Sequence, residues 1–211
     1  MLAILAAAAA ISAPVPAMNY DWFSGVYDWP NKGVGKNQLV NIAVDVTVNP
    51  YGYMQSCVSH VRSGLSALGP YVCSRLGARA EFDVARDASG RRVYGIYRTS
   101  VVLWNGDAKD LPKHIETSNF TISGNDGVAA PDNGTFTIQF AVDADGHPST
   151  CNLAPTVGYG LNRRKQQIEA PLVEQACKDL PLKMHIEPAR DRSGRTVPSV
   201  QTADVSVAAT R

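Results

Sequence analysis

The chain has 211 residues, 45% of them hydrophobic and 18% charged, with a net charge of +1. That composition excludes wholesale disorder and collagen-like structure. Twenty Lys and Arg against 19 Asp and Glu exclude the basic face of a general nucleic-acid binder and give no pull toward an anionic membrane.

An unbroken apolar run extends from Leu2 to Ile11, and Pro14 and Pro16 then interrupt it. A transmembrane helix needs about 20 apolar residues, so the run has the length of a secretory h-region instead. Val15-Pro16-Ala17 puts small residues where signal peptidase reads them. Residues 1–17 are therefore expected to be a signal peptide, despite the missing basic n-region, and the mature chain is expected to have no membrane span.

The remaining chain reads as a duplication. With Cys57 over Cys151, Gly52 falls on Gly146, Val48 on Val142, Val46 on Phe140, Val44 on Ile138 and Ile42 on Phe136. With Cys73 over Cys177, Leu68 falls on Leu172, Leu76 on Leu180, Phe82 on Ile186 and Ala85–Arg91 on Ala189–Arg195. The two registers are 94 and 104 residues, so the second copy carries ten extra residues between its cysteines, placed in Tyr159–Ala170. Two tandem domains are expected, at 20–104 and 131–211, joined by a linker at 105–130.

In the first copy Ile42, Val44, Val46 and Val48 alternate with more polar partners and predict a strand. Asn49-Pro50-Tyr51-Gly52 predicts a turn into a second strand over Tyr53–Val61. Leu68, Val72 and Leu76 share one face of a helix near Ser66–Leu76, with Pro70 in its first turn. A short strand at Phe82–Val84, a turn at Asp87–Gly90 and a long strand from Val93 to Trp104 follow. The linker holds a candidate strand at Phe120–Ile122. The second copy repeats the series with Phe136–Val142, His147–Asn152, a helix near Leu172–Leu180 and a strand in Val200–Ala208.

Four cysteines behind a signal peptide suggest two disulfides. Because each copy owns one pair, Cys57–Cys73 and Cys151–Cys177 are the parsimonious bonds. A metal site or redox pair is the alternative, but separations of 16 and 26 without C-x-x-C fit neither.

The pattern V-D-V-T-V-x-P-x-G-x-x-x-x-C over 44–57, then Ser63-Gly64, Leu68, Cys73, Phe82 and A-R-D-x-x-G-R, resembles the TonB C-terminal domain family. The second copy fits through V-D-A-D-G-H-P-S-T-C over 142–151 and E-P-A-R-D-R-S-G-R-T-V-P over 187–198. The resemblance implies an α+β fold: two tandem small domains, each a short antiparallel sheet with one packed helix, in a bacterial periplasmic or secreted protein. It also implies that the last strand of each domain accepts an extended peptide. The peptide-binding edges are then Val101, Val102, Leu103 and Trp104 in the first copy and Val205, Ser206 and Val207 in the second. A full energy transducer would keep a membrane helix and a long Pro-rich span, and this chain has neither pattern.

The sequence carries no G-x-S-x-G, P-loop, G-x-G-x-x-G or H-E-x-x-H. His60, His114, His147 and His185 lie three or four residues from no other His or Cys. No catalytic residue, metal site or cofactor is assigned. Arg86 and Arg190 fit either an anion clamp or the frame of the turns that Asp87 and Asp191 open; the duplication favours the turn. Tyr20, Trp22, Phe23, Tyr27 and Trp29, with Tyr94, Tyr97 and Trp104, are read as packing across the first domain or as a peptide- or glycan-binding face. The expected function is non-enzymatic binding of a protein or peptide, with no nucleic-acid partner. The first alternative is an auxiliary role in TonB-dependent transport with an outer-membrane transporter as partner, and the second is a small periplasmic enzyme with a site between the domains.

Overall fold

The computed structural model describes residues 10–17, 34–112, 115–123, 134–155, 168 and 170–208. The first half runs β1 (Val15–Pro16), β2 (Leu39–Val48), β3 (Met54–Ser63), α1 (Leu68–Arg79), β4 (Phe82–Asp83), β5 (Ala85–Arg86) and β6 (Arg92–Trp104). The second runs β7 (Phe120–Ser123), β8 (Thr135–Val142), β9 (Pro148–Leu153), α2 (Ala170–Lys183), β10 (Ala189–Arg190), β11 (Thr196–Val197) and β12 (Ser199–Ala208). The insertion in Tyr159–Ala170 lies almost wholly outside the described residues, as do His114 and the aromatic run from Tyr20 to Trp29.

The expectation of two small α+β domains, each with its own antiparallel sheet, is overturned. One mixed sheet of eight strands runs β3-β2-β6-β12-β8-β9, with β5 on β6 and β7 on β12. The joint is a parallel pairing of β6 with β12: Tyr94 opposite Ser199, Gly95 opposite Val200 and Ile96 opposite Gln201. The physical reason lies in the edges. Each copy ends in a strand with one flank unpaired, and an unpaired flank is a template for another strand. Here the two terminal strands meet each other, so the sheet continues through the boundary between the copies.

The joint also fixes which face each helix covers. Paired residues of neighbouring strands share a face, and alternate residues switch faces. Val46 pairs with Tyr97, and both pack in the core under α1, with Val72 and Leu76. Ile96 therefore points to the opposite face. Its partner Gln201 alternates with Ala203 and Val205, which lie in the core under α2 with Leu172, Ala176 and Leu180. So α1 and α2 sit on opposite faces, as a two-fold axis along the β6–β12 joint requires. Face A carries α1 over the first copy, and face B carries α2 over the second.

Local structure follows the sequence closely. Gly52 (φ 89°) and Gly146 (φ 91°) close the two hairpin turns in the left-handed region. At Gly52 a Cβ would stand 2.6 Å from the Phe82 carbonyl, so no other residue fits. Asn49 and Asp143 do the same work in these turns: each side-chain oxygen accepts two backbone N–H groups, from Tyr51 and Tyr53 and from Asp145 and His147. Cys57 in β3 is bonded to Cys73 in α1, and Cys151 in β9 to Cys177 in α2. Each bond ties an outer strand to the helix above it.

The segment expected to be a signal peptide contributes structure. Val15 and Pro16 pair antiparallel with Asp83 and Phe82. Ser12 exchanges both backbone bonds with Arg86, and the Ala17 N–H donates to the Glu81 carbonyl. Ile11 and Ala13 are 2% and 3% exposed and form a third apolar cluster with Ala85, Val200, Val93 and Ala141. This arm lies on face A, over the half of the sheet that α1 leaves open.

Candidate functional site: an open groove and an open edge

The expected peptide-binding edges are occupied to different degrees. Val205, Ser206 and Val207 pair with Phe120, Thr121 and Ile122 of β7 on one flank. On the other flank β8 pairs with Val205 and Ser206. The linker strand has taken the place assigned to a partner peptide. Val101, Val102, Leu103 and Trp104 pair with Ile42, Asn41, Val40 and Leu39 of β2. Beyond Ile96, β12 turns away from β6, and residues 115–118 pass close by: Ser100 Oγ donates to the Thr117 carbonyl, and Asn41 Nδ2 to the Glu116 carbonyl. Of the outward aromatics, Tyr97 packs on the first core, and Trp104 Nε1 donates to the Asp107 carbonyl.

The true outer strands of the sheet are β3 and β9. They differ in how they present their edges. β9 has six residues, begins at Pro148 and contains Thr150 at φ 37°, an irregularity beside the register shift at Phe140/Ala141. Short length, proline and bulges all blunt an edge. β3 has ten residues and no proline. At its start the exposed Tyr51 and Tyr53 flank the turn, and at its middle Val58 is 52% exposed.

Beside β3, on face B of the first copy, lies a groove of about 990 Å³. Its floor is Thr47, Ile96 and Arg98, one wall is β3, and the other is the chain from His185 to Arg192. Arg98 is only 5% exposed and fills the fork where β6 and β12 separate. Its Nε donates to Asp45 Oδ2 at 3.0 Å, and its Nη1 to the Thr202 carbonyl. Burial pulls the Arg98 guanidinium below its ordinary value, and the charge of Asp45 opposes that pull.

The other polar clusters are accounted for by turns. Asp87 Oδ1 accepts from Ser89 Oγ, the Ser89 N–H and the Arg91 N–H, and Asp191 does the same with Ser193 and Arg195. Arg86 and Arg190 each donate from Nη1 to the carbonyl of the turn glycine, Gly90 or Gly194. The arginines therefore frame turns in both copies. Asp143, Asp145 and His147 bring their ligand atoms within 4.8 Å, but all three are exposed and Asp143 already holds its turn. His185 Nε2 stands 3.4 Å from Glu187 Oε1, both side chains largely in solvent.

Comparisons with family models, with curated proteins and with solved structures found no match.

Sequence reasoning missed the groove and the β3 edge. Both depend on the joint between β6 and β12, which decides which strand ends outermost and which face stays bare. The signal available beforehand was the repeat itself: two copies with equivalent terminal strands can satisfy each other's edges.

Proposed function

We propose that the protein is a non-enzymatic module that binds an extended polypeptide, in the periplasm or outside the cell, as a helper of TonB-dependent transport at the outer membrane. The observation that supports this reading is the edge of β3. It is a ten-residue outer strand with no proline, preceded by exposed Tyr51 and Tyr53, with exposed Val58 at its middle and its two register shifts against β2 near its ends, whereas its counterpart β9 has six residues, opens on Pro148 and is irregular at Thr150. A peptide adding to β3 gains main-chain hydrogen bonds for affinity and alternate side-chain contacts for selectivity. The two disulfides suit an oxidising compartment.

The test uses proline at Val58 and, separately, at Ser59. Successive residues of an edge strand donate alternately to β2 and to the outside, so one of the two variants removes only an outward N–H. The variant that keeps the wild-type circular dichroism spectrum should lose capture of its partner from outer-membrane extract. Undiminished capture by that variant refutes edge addition.

A further inference from the structure

The duplication supplies a template for the open groove. Under the two registers, Gln139 is equivalent to Asp45, Ala141 to Thr47, Val200 to Ile96, Ala85 to Ala189, Val93 to Val197, and Glu81–Arg86 to His185–Arg190. Gln139, Ala141, Val200 and Ala85 form the bed on which the chain's own arm lies. Their equivalents Asp45, Thr47, Ile96 and Ala189 all line the groove on face B. One face of the sheet thus holds an extended segment, and the symmetry-related place on the other face holds none among the described residues.

The filled side shows how the segment is read. Ile11 and Ala13 put their side chains into the apolar cluster. Gln139 Oε1 accepts the Ala13 N–H at 2.9 Å, and its Nε2 donates to the Ile11 carbonyl at 2.9 Å. The arm's backbone bonds to Glu81 and Arg86 and pairs with β4 between them. On the open side Val58 and Thr47 offer apolar atoms above Ile96 and Ala189, which are themselves buried at 7% and 2% exposure. Asp45 Oδ1 stands in the place of the Gln139 acceptor, while Oδ2 is engaged by Arg98. Among the described residues no strand pairs with His185–Pro188, and the Gln201 amide donates to the Glu187 carbonyl.

One end of the groove already holds a stand-in for a peptide group. Gln55 Nε2 donates to the Arg190 carbonyl at 2.7 Å. The equivalent acceptor, the Arg86 carbonyl, takes the Ser12 N–H of the arm. Gln55 Oε1 is buried with no hydrogen-bond partner among the described residues, so this amide is half satisfied where the arm's peptide group is fully satisfied. A buried unpaired acceptor is costly, and an incoming N–H relieves it.

We propose that this groove binds an extended peptide of a partner protein. The peptide lies antiparallel to His185–Arg190, with an aliphatic side chain against Thr47 and Val58 above Ile96 and the N–H two residues later on Asp45. It follows the course of Ile11–Pro16 along Glu81–Arg86 except at one place: Ser199 is the equivalent of Gly95, where a Cβ would stand 2.5 Å from Pro14 Cδ, so the residue after that N–H is glycine. The site goes beyond the edge reading: it is a face of the sheet, not the flank of β3, and the two can fail separately.

The probe is a synthetic peptide of the arm's sequence with glycine in place of its first proline, Ile-Ser-Ala-Gly-Val-Pro-Ala, carrying a photoreactive diazirine in its first side chain. It is titrated into the full chain, whose own arm occupies face A. Expected are saturable one-site binding, cross-links to Thr47, Val58 or Ile96, and at least a tenfold loss of affinity in Thr47→Trp. Ser56→Trp, at an exposed wall position, should show the same loss without touching the core. Absence of binding, affinity unchanged in Ser56→Trp, or cross-links confined to Ala85 and Val200, which mark exchange with the arm, each overturn the proposal. A partner whose capture is abolished by the β3 proline variant but untouched by Ser56→Trp uses the edge alone and likewise refutes the groove.

Discussion

Two equivalent surfaces of one sheet have different fates in this protein. On face A of the second copy, Gln139, Ala141 and Val200 lie beneath residues 11–17, and their apolar atoms are buried. On face B of the first copy, Asp45, Thr47 and Ile96 line an open groove. The difference is in side-chain chemistry as much as in occupancy. Gln139 is a neutral amide that both donates to and accepts from a peptide group. Asp45 can only accept, and its charge is balanced by a buried arginine anchored to the neighbouring copy. Duplication gave both faces a related bed; one holds the chain's own arm, and the other differs from it by Asp45 for Gln139 and Ser199 for Gly95.

The comparison is broken most severely by removing the arm. A chain beginning at Met18 loses the burial of Ile11 and Ala13, the backbone bonds to Glu81 and Arg86 and the pairing with β4. Full burial of an aliphatic side chain is worth about 1.5–3 kcal/mol, and the lost hydrogen bonds add about 1 kcal/mol each. Ordering the arm's backbone offsets part of this sum, and the expected net destabilisation is about 3–4 kcal/mol, measured by urea unfolding of chains with and without residues 1–17. Equal midpoints would show that the arm contributes nothing in solution.

The disulfides come next. Cys57→Ala with Cys73→Ala, and Cys151→Ala with Cys177→Ala, open loops of 16 and 26 residues. Each should cost about 3 kcal/mol, with little difference between the halves. The bonds tie outer strand to helix in both copies, so neither cost should depend on the arm. A loss that appears in only one half would mean that the two copies do not share their main support.

Gln139→Ala sharpens the contrast at a single residue. It leaves the Ile11 carbonyl and the Ala13 N–H without their partner in a buried place, at about 2 kcal/mol. In the chain beginning at Met18 the same substitution should cost less, because both arm groups are gone and the bond from Nε2 to Asn152 Oδ1 is what remains to be lost. That non-additivity, read as a double-mutant cycle, is the signature of direct coupling. Additive costs would place Gln139 outside the arm's recognition.

How much of this could be read beforehand follows from the range of each interaction. The hairpins, both helices, the turn glycines and the cysteine pairs depend on neighbours close in sequence or on the repeat. Leu68, Val72 and Leu76 are buried on one helix face as their spacing implies. The joint between Gly95 and Val200 is of another kind. Nothing local to β6 or β12 says which strand will lie beside it; alternation gives a strand two faces but does not choose its flank. Ile11 and Ala13 were hidden differently. A run of small apolar residues has the composition of an h-region whether or not it also packs against Val200, and the local trace of that packing is Gly95, where a Cβ would stand 2.5 Å from Pro14 Cδ. The face-B groove was illegible because its members come from β2, β3, β6 and the chain after α2.

The smallest expected effect tests the feature that the two copies share without regard to either face. Asp191 is pushed down to about 2, first by the hydroxyl of Ser193 and then by Arg195, and Asp87 is held lower still by Ser89 and Arg91. A carboxylate with a depressed folded value contributes stability that is fully present above its ordinary value of 3.8 and is lost as pH falls through the folded value. Asp204 titrates in the opposite sense: burial raises it, so protonation on acidification favours the folded chain. The wild-type curve mixes the two signs, and substitution separates them. Asp87→Asn and Asp191→Asn should each flatten the fall of the thermal midpoint between about pH 4 and about pH 2, and by similar amounts, because the two turns make the same bonds to Ser and Arg. Both carboxylates are half-buried beside exposed arginines, so salt screening should reduce both effects together, though only in part. A flattening in one variant alone would show that the arm on face A, which bonds Arg86 beside Asp87, couples to the turn, and the separation between shared frame and unequal faces would then fail.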